Sequence, residues 1–296
     1  MRNVLILAAL FSTQGLTAQE RFVSSDFSDF YDWYHQQSQV AQLYEDQTEL
    51  FTFTSDTYVY TGPCLTSEVA AQLPIGYGVK NIAYNDDYYL PEDEINGYGD
   101  IWYHVRGKDL TGQSFTGYIW GGQIAKGWRS ADLNGDGKPE FIMLGISSQT
   151  RKAPGDINAE LRIVQDGRLL HQKTVPGLCV FEDCASSPLL RVVETPQGFQ
   201  IIEASTMTVG CWAGIEKSFF YWDGANLQRV YQAEYTTHKE LANAAFVFTG
   251  KAGAQLCRYS HEGDNYTPVW KCKEMAVEDS RASVAPAATA SIRVGR

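Results

Sequence analysis

Hydrophobic and polar positions alternate in short runs over most of the chain, which is typical of β-strands that bury one face. Four runs in the first half predict strands at residues 56–63, 78–84, 101–106 and 117–122, and Gly or Pro interrupts the chain between them. Strands this short and this closely spaced predict a small antiparallel barrel.

The second half of the chain carries the same pattern and predicts a second antiparallel β domain. Asp-Gly pairs at residues 166–167 and 223–224 stand between neighbouring strands, where this dipeptide favours a tight hairpin turn. A short helix is expected at residues 237–244. The predicted strands are 141–146, 159–164, 169–173, 189–193, 199–203, 218–222, 227–233, 255–258 and 269–271.

A helical period occurs in the polar segment that precedes the first strand. Phe27, Phe30, Tyr31 and Tyr34 follow the i, i+3, i+4, i+7 spacing of one helix face. We expect a short helix that docks on the following domain, with an aromatic ligand platform as the alternative. The fold class is thus mainly β, with a short N-terminal helix, a small barrel, and a second β domain that is a sandwich or a blade-like sheet.

The two ends of the chain lack a core-forming pattern. Residues 1–18 have the positive charge, the short apolar run and the small final residue of a secretory signal peptide, with cleavage expected before Gln19. The C-terminal end is low in complexity and is predicted to be disordered. The expected organisation is a signal peptide at 1–18, a helical lead-in at 19–50, the barrel at 51–128, the second β domain at 129–273 and the tail at 274–296.

Charge and hydropathy narrow the classes of partner. The formal net charge of −11 argues against nucleic acid and against anionic lipid, because both attract positively charged surfaces. No apolar run approaches the roughly 20 residues that span a bilayer, so stable membrane insertion is not expected. Together with the signal peptide, these features predict a periplasmic or secreted protein.

Six cysteines in an exported chain predict disulfide bonds. None of them has the spacing of zinc ligands. Cys257 and Cys272 flank a segment that can turn back on itself, so they are the first expected pair. The other four allow three connectivities, of which we favour Cys179 with Cys184 and Cys64 with Cys211.

One loop concentrates the oxygen ligands that Ca2+ prefers. Asp132, Asn134 and Asp136 place side-chain oxygens at every second residue, and Glu140 can complete the coordination shell. Lys138 would contribute only its backbone carbonyl. These five residues are the candidate metal ligands, and the expected role of the ion is structural.

The loop departs from an EF-hand, because its twelfth position is Met143 and a predicted strand follows it. The pattern Asp-x-Asn-x-Asp-Gly-x-x-Glu running into a strand resembles the calcium loop of integrin-type FG-GAP repeat proteins. Because the pattern occurs once, a propeller of several repeated blades is not expected. A plain polar turn is the alternative, since Asn-Gly and Asp-Gly favour turns without any metal.

The region from residue 57 to residue 128 resembles the bacterial SH3 family, and its most specific element is Gly117-Tyr-Ile-Trp-Gly-Gly. The resemblance implies a module that binds peptidoglycan or peptide. A long acidic insertion at residues 84–100 departs from the family pattern. The candidates for an aromatic ligand groove are Tyr58, Tyr60, Tyr88, Tyr89, Trp102 and Trp120. Because one face of each strand is buried, a place in the core is the alternative for each of them.

No recognisable catalytic motif surrounds any histidine or cysteine, so no catalytic residue is assigned and an enzyme is not the expected class. The sequence instead predicts a binding or adaptor protein of the bacterial envelope whose partner is a cell-wall peptide or glycan, or an envelope protein. The alternative is an inhibitor or immunity-type protein that blocks a secreted enzyme through the acidic insertion.

Overall fold

The computed structural model shows a mainly β chain built from antiparallel sheets, which confirms the predicted fold class. The described residues are 43, 47–82, 91–147, 159–175, 189–194, 200–208, 214–222, 224–235, 244–248, 254–262 and 267–275. No helix in these ranges is long and apolar enough to cross a membrane.

The first sheet has seven strands and curls into a half-barrel. Its spatial order is β1-β4-β6-β7-β2-β3, and β5 pairs with the long strand β6. The strands are β1 (Glu49–Phe51), β2 (Thr57–Tyr60), β3 (Val69–Leu73), β4 (Gly78–Asn81), β5 (Glu92–Ile95), β6 (Tyr98–Lys108) and β7 (Ser114–Trp120).

Two four-stranded antiparallel sheets follow, and their inward side chains meet in one core. Strand β8 lies beside β12 and β11 lies beside β15, so the sheets pack as a sandwich. They comprise β8 (Gly127–Ala131), β9 (Glu140–Ile146), β10 (Ala159–Gln165) and β11 (Arg168–Val175), then β12 (Leu189–Glu194), β13 (Gln200–Thr208), β14 (Gly214–Trp222) and β15 (Leu227–Tyr235). A three-stranded sheet closes the described chain with β16 (Ala244–Phe248), β17 (Ala254–Glu262) and β18 (Thr267–Met275).

Two hairpin turns show how local sequence sets the strand pairing. Asp166 and Gly167 have φ angles of 51° and 71°, and they join β10 to β11 as the Asp-Gly pair predicts. Asn96 and Gly97 have φ angles of 56° and 74° and join β5 to β6 in the same way. The acidic insertion, in which no strand was predicted, therefore contains a hairpin.

The barrel and the sandwich share one hydrophobic core. Trp102 and Trp120 of the barrel pack in the same buried cluster as Leu144, Leu161 and Phe220 of the sandwich. The boundary expected at residue 128 lies inside β8, which pairs with β9. The two predicted domains are therefore packed together without an intervening linker.

A buried arginine also links the barrel to the sandwich. Arg162 of β10 makes an ion pair of 2.6 Å with Glu160, and both side chains are buried. Its guanidinium lies 4.2 Å from the centre of the Phe53 ring and donates a hydrogen bond to the carbonyl of Phe53. Because β1 ends at residue 51, this contact ties the start of the barrel to the middle of the sandwich.

Close packing explains the glycines of the Gly117-Tyr-Ile-Trp-Gly-Gly element. A Cβ on Gly117 would meet the backbone carbonyl of Tyr60, and a Cβ on Gly121 would meet the carboxylate of Asp100. A Cβ on Gly122 would meet the ring of Trp120. The element is thus required by the packing of the barrel, whatever the barrel binds.

Several predictions fall on residues outside the described ranges. These are the signal peptide at 1–18, the helix expected from Phe27 to Tyr34, all but the last residue of the helix expected at 237–244, and the tail beyond residue 275. That last residue, Ala244, begins strand β16, so the helix does not extend to it. Leu43, near the end of the lead-in, is buried in the barrel core. Strand β18 includes residues 274 and 275, which were expected in the disordered tail.

The Gly117 contact predicts a loss of stability that depends on the position of the glycine. Gly117→Ala should lower the free energy of unfolding by about 1–3 kcal/mol, because the backbone of Tyr60 cannot move aside. Gly99→Ala on β6 is the matched control, since no atom lies within 4 Å of its added Cβ. Urea denaturation should show the control within about 0.5 kcal/mol of wild type. Equal midpoints for the two variants would contradict the close contact.

Candidate functional site

Three neighbouring strands of the half-barrel place aromatic side chains in one row. Tyr60 of β2 is the cross-strand partner of Tyr118 of β7, and Tyr118 is the partner of His104 of β6. Tyr58 lies two residues before Tyr60 and therefore on the same face of the sheet. We refer to Tyr58, Tyr60, Tyr118 and His104 as the aromatic strip.

The rings of the strip form a partly exposed surface. His104 and Tyr118 stack with their centres 4.7 Å apart and their planes 17° apart. The rings of Tyr58 and Tyr60 are 6.4 Å apart. Tyr58 is 37 % exposed, and the other three side chains are half-buried. A ligand can therefore reach flat aromatic faces that are held by strands rather than by a loop.

Two of the predicted groove residues belong to the core. Trp102 and Trp120 lie on the same face as the strip, and they are cross-strand partners. The sandwich covers this end of the face, so Trp102 is fully buried and Trp120 is only 8 % exposed. Their assignment to an open groove is corrected accordingly. Tyr88 and Tyr89 lie outside the described ranges.

Tyr118 and His104 belong to the strip, but they were not among the predicted groove residues. A usable signal was present, because strand alternation puts Tyr118 on the face of Trp120 and His104 on the face of Trp102. What the alternation could not show is where along each strand the covering sandwich ends. The edge of the covering sandwich separates the buried tryptophans from the accessible Tyr118 and His104.

One acidic residue of the insertion is also a core residue. Asp100 is buried in β6 and pairs with Lys126 at 2.7 Å, and its other oxygen accepts a hydrogen bond from the Ile101 amide. It therefore differs from the exposed Glu92 and Glu94 of the same insertion. The insertion is thus divided between a buried ion pair and a solvent-facing acidic strand.

Partial burial gives His104 a distinct titration behaviour. Desolvation lowers its pKa below the usual value of 6.5, so its imidazole is neutral at pH 7. As the pH falls, the unfolded chain takes up this proton before the folded chain does. The contribution of His104 to the free energy of unfolding should therefore be fully present above pH 6.5 and should be lost as the pH drops below it.

A thermal series between pH 7.5 and pH 5 measures this contribution of His104. In His104→Phe the ring can still stack on Tyr118, but it cannot take up a proton. The fall in Tm across the series should therefore be smaller in His104→Phe than in wild type. An equal fall in both proteins would show that His104 does not titrate as its burial requires.

The acidic loop between β8 and β9 is held by its own hydrogen bonds. Asp132 accepts from the backbone amides of Gly135, Asp136 and Gly137 at 2.8–3.1 Å. Asp136 accepts from the amide of Lys138 at 2.7 Å. The carboxylates thus turn toward the loop backbone, as in a tight polar turn.

Glu140 anchors this loop from inside the protein. Its side chain is fully buried, and it accepts hydrogen bonds from the Leu133 amide at 2.7 Å and the Asn134 side chain at 2.9 Å. Gln165 donates to the same carboxylate at 3.3 Å. Burial raises the pKa of Glu140, and the negative charges of Asp136 and Asp132 raise it further.

The donor chemistry of the loop fits Ca2+, whereas its arrangement in the structure is that of a closed turn. Carboxylate and amide oxygens are the ligands this ion prefers. The Asn134 amide nitrogen, however, lies 3.2 Å from Asp136 and 2.9 Å from Glu140, and it donates to both. Among the described residues, no three Asp, Glu, His or Cys side chains are placed to hold a metal. Rotation of the Asn134 amide would present its oxygen to a cation instead.

Three of the six cysteines lie in the described ranges. Cys64 has a free, exposed thiol that lies 3.1 Å from the Thr66 hydroxyl, so the expected bond to Cys211 is not formed. Cys257 and Cys272 are direct cross-strand partners in β17 and β18. Cys179, Cys184 and Cys211 lie outside the described ranges.

No protein-family model, no curated protein and no solved structure matches this chain. The resemblances to the bacterial SH3 family and to FG-GAP calcium loops therefore stay predictions from motifs.

Proposed function

We propose that this chain is an exported, non-catalytic binding protein of the bacterial envelope, and that the aromatic strip contacts a peptide or glycan of the cell wall. The observation that carries the proposal is the cross-strand row of Tyr60, Tyr118 and His104 on a face that the sandwich leaves partly open. Tyrosine rings offer a large, rigid contact area that ends in a polar hydroxyl.

The support beneath the strip favours recognition over a structural role alone. Tyr60 packs edge-on against the buried ring of Trp102, with centres 5.7 Å apart. Strands β2, β6 and β7 also bury Val59, Val105 and Ile119 on their opposite face. The exposed rings therefore stand on a fixed base, so little conformational freedom is lost when a ligand binds.

Ca2+ is a second part of the proposal. Asp132, Asn134, Asp136, Glu140 and the carbonyl of Lys138 would hold the ion, with Gln165 beside the buried carboxylate. A divalent cation would offset the negative charge that Glu140 buries next to Asp136 and Asp132. The ion would stiffen the connection between β8 and β9.

A blocking protein is the second candidate, and the exposed acidic strand β5 favours it. Glu92 and Glu94 point to solvent on the face of β5 opposite to the strip. Negative charge of this kind can steer association with a positively charged enzyme. The two candidates differ in partner, since a blocking protein captures an envelope protein and leaves isolated cell wall unbound.

Retention on purified peptidoglycan tests the strip. Tyr118→Ala should weaken retention about fivefold to tenfold, as expected for an aromatic contact that contributes more than about 1 kcal/mol. Leu170→Ala is the control, because Leu170 is 44 % exposed on β11 of the sandwich and lies outside the strip. The proposal fails when wild type is not retained, or when both variants are retained equally.

Thermal unfolding with and without Ca2+ tests the loop. Saturating Ca2+ should raise the Tm, by the equivalent of about 2.7 kcal/mol at a hundredfold excess over Kd, and EDTA should reverse the shift. Asp132→Ala should abolish the shift. Asp109→Ala is the matched control, because Asp109 also accepts backbone amides in an exposed turn that lacks the other loop carboxylates. A shift that persists in Asp132→Ala would place the ion elsewhere.

A further inference from the structure

The open face of the half-barrel continues past the aromatic strip along β6 and β7. Arg106 lies two residues after His104, and its cross-strand partner Thr116 lies two residues before Tyr118. Strand alternation therefore puts Arg106 and Thr116 on the same face as the strip, about 7 Å further along the strands. Both side chains are exposed. The stacked rings of His104 and Tyr118 thus have a guanidinium side chain and a hydroxyl side chain as their next neighbours on this face.

A hydrogen bond holds the Arg106 guanidinium close to the strip. Its Nη2 donates to the side-chain oxygen of Gln47. The amide of Gln47 donates to the carbonyl of Asn81 at 3.0 Å, and the amide of Ile82 donates to the carbonyl of His104 at 2.8 Å. The guanidinium therefore reaches the end of β4 that lies beside His104. Because β4 and β7 flank β6, this contact is on the side of His104 that faces away from the ring stacked on it.

Arg106 faces a second positive charge across the sheet. Lys80 of β4 is its direct cross-strand partner on the same face, and its side chain is also exposed. Like charges in this position destabilise the pairing unless a charge of opposite sign offsets them. Glu49 of β1 is the partner of Lys80 on its other side, but its carboxylate lies over Gly78, 2.7 Å from where a Cβ on that residue would stand. Among the described residues, no carboxylate forms an ion pair with Arg106 or Lys80.

The groups on this face match the end of a peptide chain. A guanidinium presents parallel N–H donors that can bind both oxygens of a carboxylate. The stacked rings begin about 7 Å away, which is the length of about two residues of extended peptide. A terminal carboxylate fits better than one on a side chain, because a chain that ends at Arg106 does not cover the ammonium group of Lys80 and remove it from water. An extended polyanion fits poorly, because the net charge of −11 repels it beyond these two cations.

We propose that the aromatic strip and the Arg106 guanidinium together bind the carboxyl-terminal end of a peptide, with the carboxylate on Arg106 and a preceding side chain on the rings of His104 and Tyr118. This inference rests on the proposed function and narrows it, because it selects a peptide over a neutral sugar. Specificity comes from the guanidinium, whereas the rings supply contact area to either class of ligand.

Titration of the full chain with four probes tests the inference. The probes are acetyl-Gly-Ala-Ala with a free carboxylate, the same peptide with an amidated end, acetyl-Ala-Glu-Ala with an amidated end, and the trimer of N-acetylglucosamine. Wild type should bind the free-acid peptide at least fivefold more tightly than either amidated peptide. Added salt should reduce this preference, because it screens the contact between the two charges.

Two variants locate the contact. Arg106→Gln should remove the preference for the free carboxylate, because the glutamine side chain carries no charge. Arg168→Gln is the matched control, since it removes the same charge from an exposed position on β11 of the sandwich. The control should keep the preference of wild type.

The outcomes separate this inference from the proposed function. Equal affinity for the free-acid peptide and an amidated peptide, or binding of the sugar alone, overturns the carboxylate site and leaves a cell-wall binder. Retention on peptidoglycan without binding of any probe also overturns the carboxylate site. A preference that survives in Arg106→Gln, or that is lost equally in Arg168→Gln, overturns the role of Arg106. Absence of binding to all probes and to peptidoglycan overturns the proposed function as well.

Discussion

The architecture depends on one strand that must bury both of its faces. Along β6, Trp102 packs into the core shared with the sandwich, while Tyr103 packs into the core of the half-barrel. Both faces of β6 must therefore be covered at this point. The sandwich covers the face of Trp102, and the curled half-barrel covers the face of Tyr103. The Arg162 contact to Phe53 holds the two layers in that arrangement.

The same strand also creates the candidate site, because burial ends part of the way along it. Trp102 lies beneath the sandwich, whereas His104 is only half-buried two residues further on, and Arg106 is exposed. A single face therefore passes from core to surface within about 14 Å of strand. Aromatic side chains on this face are core residues beneath the sandwich, and they become accessible beyond the edge of the sandwich.

Much of this organisation could be predicted from the sequence, because a period of two residues defines the strands and turn residues define their ends. The Asp166-Gly167 hairpin is an example that the structure confirms. The partners that decide function could not be predicted in the same way. Lys126 meets Asp100 across 26 positions of sequence, and the cover over Trp102 comes from strands that begin after residue 126. Alternation identifies a face, but only tertiary packing decides whether that face is core or surface.

The acidic loop buries a carboxylate, Glu140, whose hydrogen-bond donors among the described residues carry no charge. Burying a carboxylate costs free energy because the charge loses its water. A nearby cation or several hydrogen-bond donors offset this cost, whereas an unpaired charge leaves it uncompensated. Glu140 is fully buried, and this desolvation raises its pKa, although the hydrogen bond from the Leu133 amide acts in the opposite direction. The negative charges of Asp136 and Asp132 add to this effect, so the loop concentrates like charge around a buried carboxylate. The Ca2+ proposed for this loop would offset that charge and, by binding only the folded form, would stabilise it.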